Sequence, residues 1–211
     1  MGNHHAGPRT FGLSNQDYGL LTLHRPSNVD DSRTFKEIMT AVKDLSMDVP
    51  ILFPCHVRTR ERVAAMPELL PTEAGRHGMI LLEPLGYLEF LSLMCDARLV
   101  LTDSGGIQEE TTVLGIPCVT LRHKTERSVT IEHGTNTLVG TSHMRIVEAG
   151  RAVLRRDSPP RRRPDFLDGR AAERIIDVLE RHFHAGSSVS KRMETAPTSY
   201  SGSWVSHANV Q

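Results

Sequence analysis

Aromatic residues make up only 5% of the 211-residue chain, with a single tryptophan, and none interleaves its one basic run, which gives that run no support as a nucleic-acid patch. Net charge is also missing: 25 lysines and arginines balance 25 aspartates and glutamates, which leaves no global attraction to nucleic acid or to an anionic membrane. Any anion must therefore be bound locally. Three cysteines, Cys55, Cys95 and Cys118, lie in or beside apolar runs without CxxC or Cys/His spacing, which excludes a zinc module and reads as buried free thiols. No run approaches the roughly 20 apolar residues of a membrane helix, and the first residues lack the apolar core of a signal peptide, so the expected compartment is the cytoplasm. Neither G-x-G-x-x-G nor G-x-x-x-x-G-K-[ST] occurs, which removes the strongest support for a dinucleotide or Mg-ATP site.

What the chain does have is an alternation of short apolar strands and amphipathic helices, at 38% hydrophobic content. Strands are expected near 18–23, 50–54, 79–85, 98–102, 117–121 and 137–140, with helices near 32–45, 86–97, 107–114, 146–154 and 168–183. This pattern specifies an α/β fold, a doubly wound parallel sheet of about six strands. Residues 1–17 read as a linker, 18–184 as the folded domain and 185–211 as a disordered tail. The helix near 32–45 carries Phe35, Ile38, Met39, Val42 and Leu45 at core spacing, capped by Asp31 or Ser32. In the helix after Gly86 the expected core stripe is Leu88, Leu91 and Met94 or Cys95, which leaves Phe90 off it. The basic run at 155–164 lacks interleaved aromatics and reads as a solvated loop.

The most informative stretch is Leu99 to Arg127. A buried strand runs into Asp103-Ser104-Gly105-Gly106 and then into a helix ended by Gly115 and Pro117. Two adjacent glycines let an anion approach the backbone, Asp103 or Ser104 can cap the helix, and the helix dipole favours negative charge there. Glu109 and Glu110 follow a turn later, within reach of sugar hydroxyls on a ligand whose phosphates fill the turn, and Arg127 can add positive charge. Taken alone, Asp-Ser-Gly-Gly is better explained by an ordinary capped turn, with Glu109 and Glu110 solvated. Further polar clusters stand after other strands: His24, Arg25, Ser27 and Asn28; His56, Arg58 and Thr59; Glu83 to Phe90. All should share the carboxyl rim of the sheet, where open α/β sheets bind ligands.

Several of these segments together resemble the non-hydrolysing UDP-N-acetylglucosamine 2-epimerases: Thr22-Leu23-His24-Arg25-Pro26-Ser27-Asn28, Glu83-Pro84 with Tyr87 and Phe90, Asp103-Ser-Gly-Gly-Ile-Gln-Glu-Glu110, Leu114-Gly-Ile-Pro117, Thr125-Glu-Arg127, His133-Gly-Thr-Asn136 and the Asp168-Gly-Arg-Ala-Ala helix. Val57 and Ser128 stand where the family usually has proline. The resemblance covers about 18–183 and implies one Rossmann-like half of a two-domain fold like the B-type glycosyltransferases. It implies a cleft in which UDP is eliminated from the sugar nucleotide to a glycal and added back with carbon 2 inverted, without metal or other cofactor. It assigns His24 to the departing UDP as the catalytic residue, Phe90 to uracil, Glu110 to ribose, Ser104, Gly105, Gly106 and Arg127 to the diphosphate, and Arg25 and His56 to a second, regulatory ligand site. His133 to Asn136 are expected at a helix start near the ligand. The carboxylates that move the carbon 2 proton belong, by resemblance, to the amino-terminal half, which would have to be supplied in trans or by further sequence. Dimers in the family form largely through that half, so dimerisation is not expected from these residues alone. The same residues also suit the donor-binding half of a glycosyltransferase or a non-catalytic UDP-sugar-binding remnant.

Overall fold

The computed structural model describes residues 13, 17–69, 78–155, 164, 165 and 167–193. Most of the expected linker, the basic run at 156–163 and the tail beyond 193 lie outside them. Residues up to Asp165 form one compact unit and those from Phe166 a second.

The first unit is a six-stranded parallel sheet, β1 Gly19–Thr22, β2 Ile51–Pro54, β3 Met79–Leu82, β4 Leu99–Thr102, β5 Cys118–Thr120 and β6 Asn136–Leu138. Its order is β3-β2-β1-β4-β5-β6, so the chain reverses direction across the sheet between β1 and β4. That switch point opens a crevice beyond the carboxyl ends of both strands. Leu20 pairs with Val100 and Thr22 with Thr102, which brings residues 23–25 level with residues 103–105.

Side-chain alternation divides the sheet into two cores. Leu21, Ile51, Phe53, Leu99, Leu101 and Val119 face one side, under α2 (Ser32–Ser46) and α7 (His143–Leu154). Leu20, Leu52 and Val100 face the other, with Leu93 and Met94 of α4 (Tyr87–Cys95) and Ile116. The expected stripe of α2 is buried throughout, and its cap is Asp31, whose carboxylate accepts from the Thr34 N–H at 2.7 Å. Gly150 of α7 lets that helix press on α2: a Cβ there would stand 2.6 Å from Leu45 Cδ1. Gly150→Val should therefore destabilise the protein by about 1–3 kcal/mol through overpacking. Urea unfolding measures it, and an unchanged midpoint would show that α2 and α7 are not held this closely.

Three expectations about this unit need correction. In α4 Leu93 and Met94 are buried, with Phe90 and the expected Leu91 partly buried against the same core, while Leu88 is 73% exposed. The helix sequence is apolar on nearly every side, so i, i+3, i+4 spacing could not choose between faces; Tyr18 does, its buried hydroxyl donating to Leu93 O at 2.6 Å. Cys95 consequently lies exposed, while Cys55 and Cys118 are buried, the latter with its thiol pushed up to about 12 by loss of solvent. Short helices that spacing did not show also occur: α1 (Pro26–Val29), α3 (Val57–Ala64), α5 beginning at Gly105 rather than Ile107, and α6 (Ser128–Glu132). Val57 and Ser128 each occupy the first residue of such a helix. Proline is favoured there because its missing N–H would go unused, so neither departure from the family pattern removes a helix.

The second unit contains α8 (Ala171–Met193). Asp168 precedes it, accepting from Arg170 N–H and pairing with Arg174. The helix passes residue 185, where the tail was expected to begin; its alanine-, serine- and lysine-containing continuation carries no helix-ending proline. Among the described residues no helix is long and apolar enough to cross a membrane.

Candidate functional site

At the switch point the chain leaves β4 through Asp103, a carboxylate with no exposed surface. It does not cap α5. It turns instead toward the end of β1, where its oxygens accept from the backbone N–H of His24 at 3.2 and 3.3 Å, the backbone N–H of Arg25 at 3.0 Å and Asn28 Nδ2 at 3.1 Å. His24 Nδ1 lies 3.0 Å from the same carboxylate. Asn28 Nδ2 also donates to Leu121 O at 2.9 Å, and Arg25 Nε donates to Asp103 O at 2.9 Å. Thus the ends of β1, β4 and β5 are tied at one buried acid. Burial alone would lift the Asp103 carboxyl, but the donors from His24 and Arg25 outweigh it and hold it below the usual carboxylate range. The same contact raises His24 above the usual imidazole value.

Ser104 is the N-cap of α5 (Gly105–Leu114), but its side chain makes no capping bond, and its own N–H is taken by Thr102 Oγ1 at 3.0 Å. Of the two residues expected to cap this helix, Ser104 holds the N-cap position, and neither side chain caps it. The first-turn N–H groups of a helix have no partner within it, so those of Gly105, Gly106 and Ile107 stay open at the positive end of the dipole. At Gly105 the loop above approaches closely, through the end of the flexible Glu126 side chain. A Cβ there would lie 2.9 Å from Glu126 Oε1, whereas one at Gly106 meets nothing nearer than Ser104 Oγ at 3.9 Å.

Polar residues strap this loop to α5. Buried Gln108 donates from Nε2 to Ser104 O at 3.0 Å and accepts from Thr125 Oγ1 at 2.7 Å; Thr125 Oγ1 in turn accepts from Arg127 N–H at 3.1 Å. Buried Asn136 donates to Gln108 O at 3.2 Å and Thr130 Oγ1 at 2.7 Å. Sequence reasoning gave Gln108 and Thr125 no role of their own, and it expected Asn136 at a helix start where it opens β6. The usable signal was a glutamine on the inward side of a short helix, since a buried amide needs partners from elsewhere in the fold.

Arg127 Nη1 pairs with Glu109 at 3.3 Å, while Arg127 Nε is buried without a partner. Glu110 Oε2 is also buried and unpartnered. Loss of solvent raises the Glu110 carboxyl, against a hydrogen bond from Tyr87 and with help from the charge of Glu109. An orphaned guanidinium donor suits a phosphate oxygen, and an orphaned carboxylate oxygen suits a hydroxyl. Arg25 and Asn28, which bind Asp103, also line a cleft of about 470 Å³ together with Arg122, His123, Lys124 and Thr141; neither Arg127 nor Glu110 is among its lining residues.

The other expected site residues are distributed as follows. Phe90 is half-buried against the second core, so it belongs to the α4 stripe rather than lying off it. His56 is an exposed N-cap of α3, and among the described residues no hydrogen bond or ion pair links it to Arg25. His133 is the C-cap of α6, not a helix start. Its neighbour Gly134 explains the order His-Gly-Thr-Asn better, because a Cβ there would meet Thr130 O at 2.4 Å and Thr112 Oγ1 at 2.6 Å. Among the described residues no group of three His, Cys, Asp or Glu side chains is arranged to hold a metal.

Residues 3–180 match the UDP-N-acetylglucosamine 2-epimerase family. The UDP-N-acetylglucosamine 2-epimerase of Methanocaldococcus jannaschii is 39% identical over 165 residues, 77% of this chain and 44% of that protein. The crystal structure of that enzyme in complex with UDP-GlcNAc and UDP superposes with a TM-score of 0.68 at 38% identity, over 82% of this chain and 48% of the other. The UDP-2,3-diacetamido-2,3-dideoxy-D-glucuronate 2-epimerase of Pseudomonas aeruginosa is 38% identical over 146 residues, 68% of this chain and 39% of that protein. The chain spans under half the length of the curated relatives it matches. With the rim, its glycine turn and its arginine placed by the sheet, and with the family match running through all of them, this chain belongs to the UDP-N-acetylglucosamine 2-epimerase family.

Proposed function

We propose that this chain provides the UDP-binding half of a UDP-N-acetylglucosamine 2-epimerase. The observation that carries the reading is the open N-terminus of α5 at the β1/β4 switch point, with His24 on one side and Arg127 on the other. The diphosphate takes the N–H groups of Gly105 and Gly106 and a donor from Arg127; Glu110 accepts from ribose; exposed ring surface of Phe90 packs on uracil. The two named relatives differ in the sugar and share UDP, which fits a half that reads the nucleotide.

In the reaction, a base takes the carbon 2 proton, the C–H electron pair forms the C1=C2 bond and the C1–O bond breaks to release UDP; re-addition with protonation from the other face gives the epimer. His24 and the α5 amides stabilise the charge that accumulates on departing UDP. The base comes from an amino-terminal half, in the same polypeptide or another. Arg25 and His56 occupy the ends of neighbouring strands β1 and β2, which supports a second ligand beside the first.

Titration calorimetry with UDP tests the reading. Saturable binding at one site, weaker for UMP because it lacks the second phosphate, is expected. A folded chain that takes up no heat with UDP overturns it.

A further inference from the structure

The acid beneath the rim is engaged by several donors at once, and UDP contact alone does not account for it. Asp103 has no exposed surface, yet four separate N–H donors from residues 24, 25 and 28 converge on it: two backbone amides, an asparagine side chain and the His24 ring. A buried carboxylate is retained at this density of donors only if they stay fixed, because one donor lost leaves part of a charge unpaired. The His24 side chain is 59% exposed. Its Nδ1 edge is held inward, so the opposite edge, with Nε2, stands outward at the rim.

We propose that Asp103 is a positioning residue that keeps His24 doubly protonated and turned so that Nε2–H is presented to a phosphate of the incoming nucleotide. The inference rests on the UDP-binding reading and adds to it a residue that never touches the ligand. In the imidazolium both nitrogens donate, Nδ1–H to Asp103 and Nε2–H to a phosphate oxygen. Without the acid, Nδ1 would have no anionic partner, and a neutral ring would offer its proton on either nitrogen. The charged groups around His24 are Asp103 from the β4–α5 turn, which raises it, and Arg25 from its own strand end, which lowers it less. Glu126 and Arg122 of the β5–α6 loop face one another, and Glu126 approaches Arg25 at 3.9 Å.

The sign follows from these shifts. His24 binds its proton more tightly in the folded chain, so the stabilisation from the pair is complete below the ordinary imidazole range and is lost as pH rises through the raised value. Asp103 acts in the opposite sense, its contribution being lost in acid as pH falls through its lowered value. UDP affinity should therefore decline with rising pH across the raised His24 titration.

The test follows the His24 ring by proton–nitrogen NMR in the full chain, alongside UDP titrations from pH 6 to 9, for the wild type and Asp103→Asn. Expected are a His24 titration above an ordinary histidine in the wild type, its fall in the variant, and about tenfold weaker UDP binding near pH 8, the value of one charge-assisted hydrogen bond. A wild-type His24 that titrates as an ordinary histidine overturns the inference, and does so even if Asp103→Asn fails to fold. An unmoved His24 and an unchanged pH dependence in a folded Asp103→Asn overturn it as well. Wild-type protein that binds no UDP at any pH would sink the UDP reading instead, while the His24 titration would still decide the role of Asp103.

Discussion

Gly105→Asp is expected to weaken UDP binding by about 10²–10⁴-fold while the protein still folds. The variant puts a carboxylate at the mouth of the amide pocket, where it repels a diphosphate and takes the N–H groups for itself. Losing two charge-assisted hydrogen bonds at about 1.5–3 kcal/mol each gives that range. Folding survives because the nearest obstacle is the end of the flexible Glu126 side chain, 2.9 Å from the new Cβ, and because an acidic residue in the first turn of a helix suits its dipole. Arg127→Ala removes one donor and should cost less, about 10- to 100-fold. It also frees Glu109, whose charge then faces the ligand unpaired. Calorimetry on both variants, with circular dichroism to confirm the fold, measures these losses. Unchanged UDP affinity in both would mean that the ligand binds elsewhere on the sheet.

The 211 residues by themselves should turn over no UDP-N-acetylglucosamine, even at saturating substrate. Proton abstraction from carbon needs a positioned base with a matched pKa. At this rim Asp103 is buried under donors, Glu109 and Glu126 are paired with arginines and Glu83 with Arg60. Glu110 has the raised pKa of a candidate base, but it lies on α5, hydrogen-bonded by Tyr87 of α4, where the proposed reading puts the ribose and not the reacting sugar. Incubation in deuterated water, read by NMR for deuterium at carbon 2 and for the manno epimer, gives the answer. Appearance of either with this chain alone would show that the base lies within these residues. Addition of a family amino-terminal half should restore both if the halves assemble.

The fold and the site were legible to different degrees, for physical reasons visible at particular residues. Strands β1, β2 and β4 are short apolar runs bounded by polar clusters, and α2 has a clean stripe, so local periodicity located them. In α4, where apolar residues surround the axis, the same reasoning buried Leu88 and exposed Phe90, the reverse of what packing on Tyr18 and Leu93 produces. The glycine turn was equally legible, because an open helix N-terminus needs only local sequence. Asp103 or Ser104 is expected as a local cap for the same reason; Ser104 takes the N-cap position, and Asp103 turns elsewhere. Its partners lie 75 to 79 residues away in the chain, and no local pattern contains them.

The sequence by itself determined the alternation of strand and helix, the placing of polar residues after strands, and the family that those residues resemble. Only the tertiary structure decided the strand order, with β1 beside β4. That order sets His24 and Arg25 against Asp103, and through Gln108 and Thr125 the loop of Arg127 against α5. The division follows from range: hydrophobic period and backbone freedom act over a few residues, whereas a buried charge must be matched by donors wherever the sheet happens to bring them.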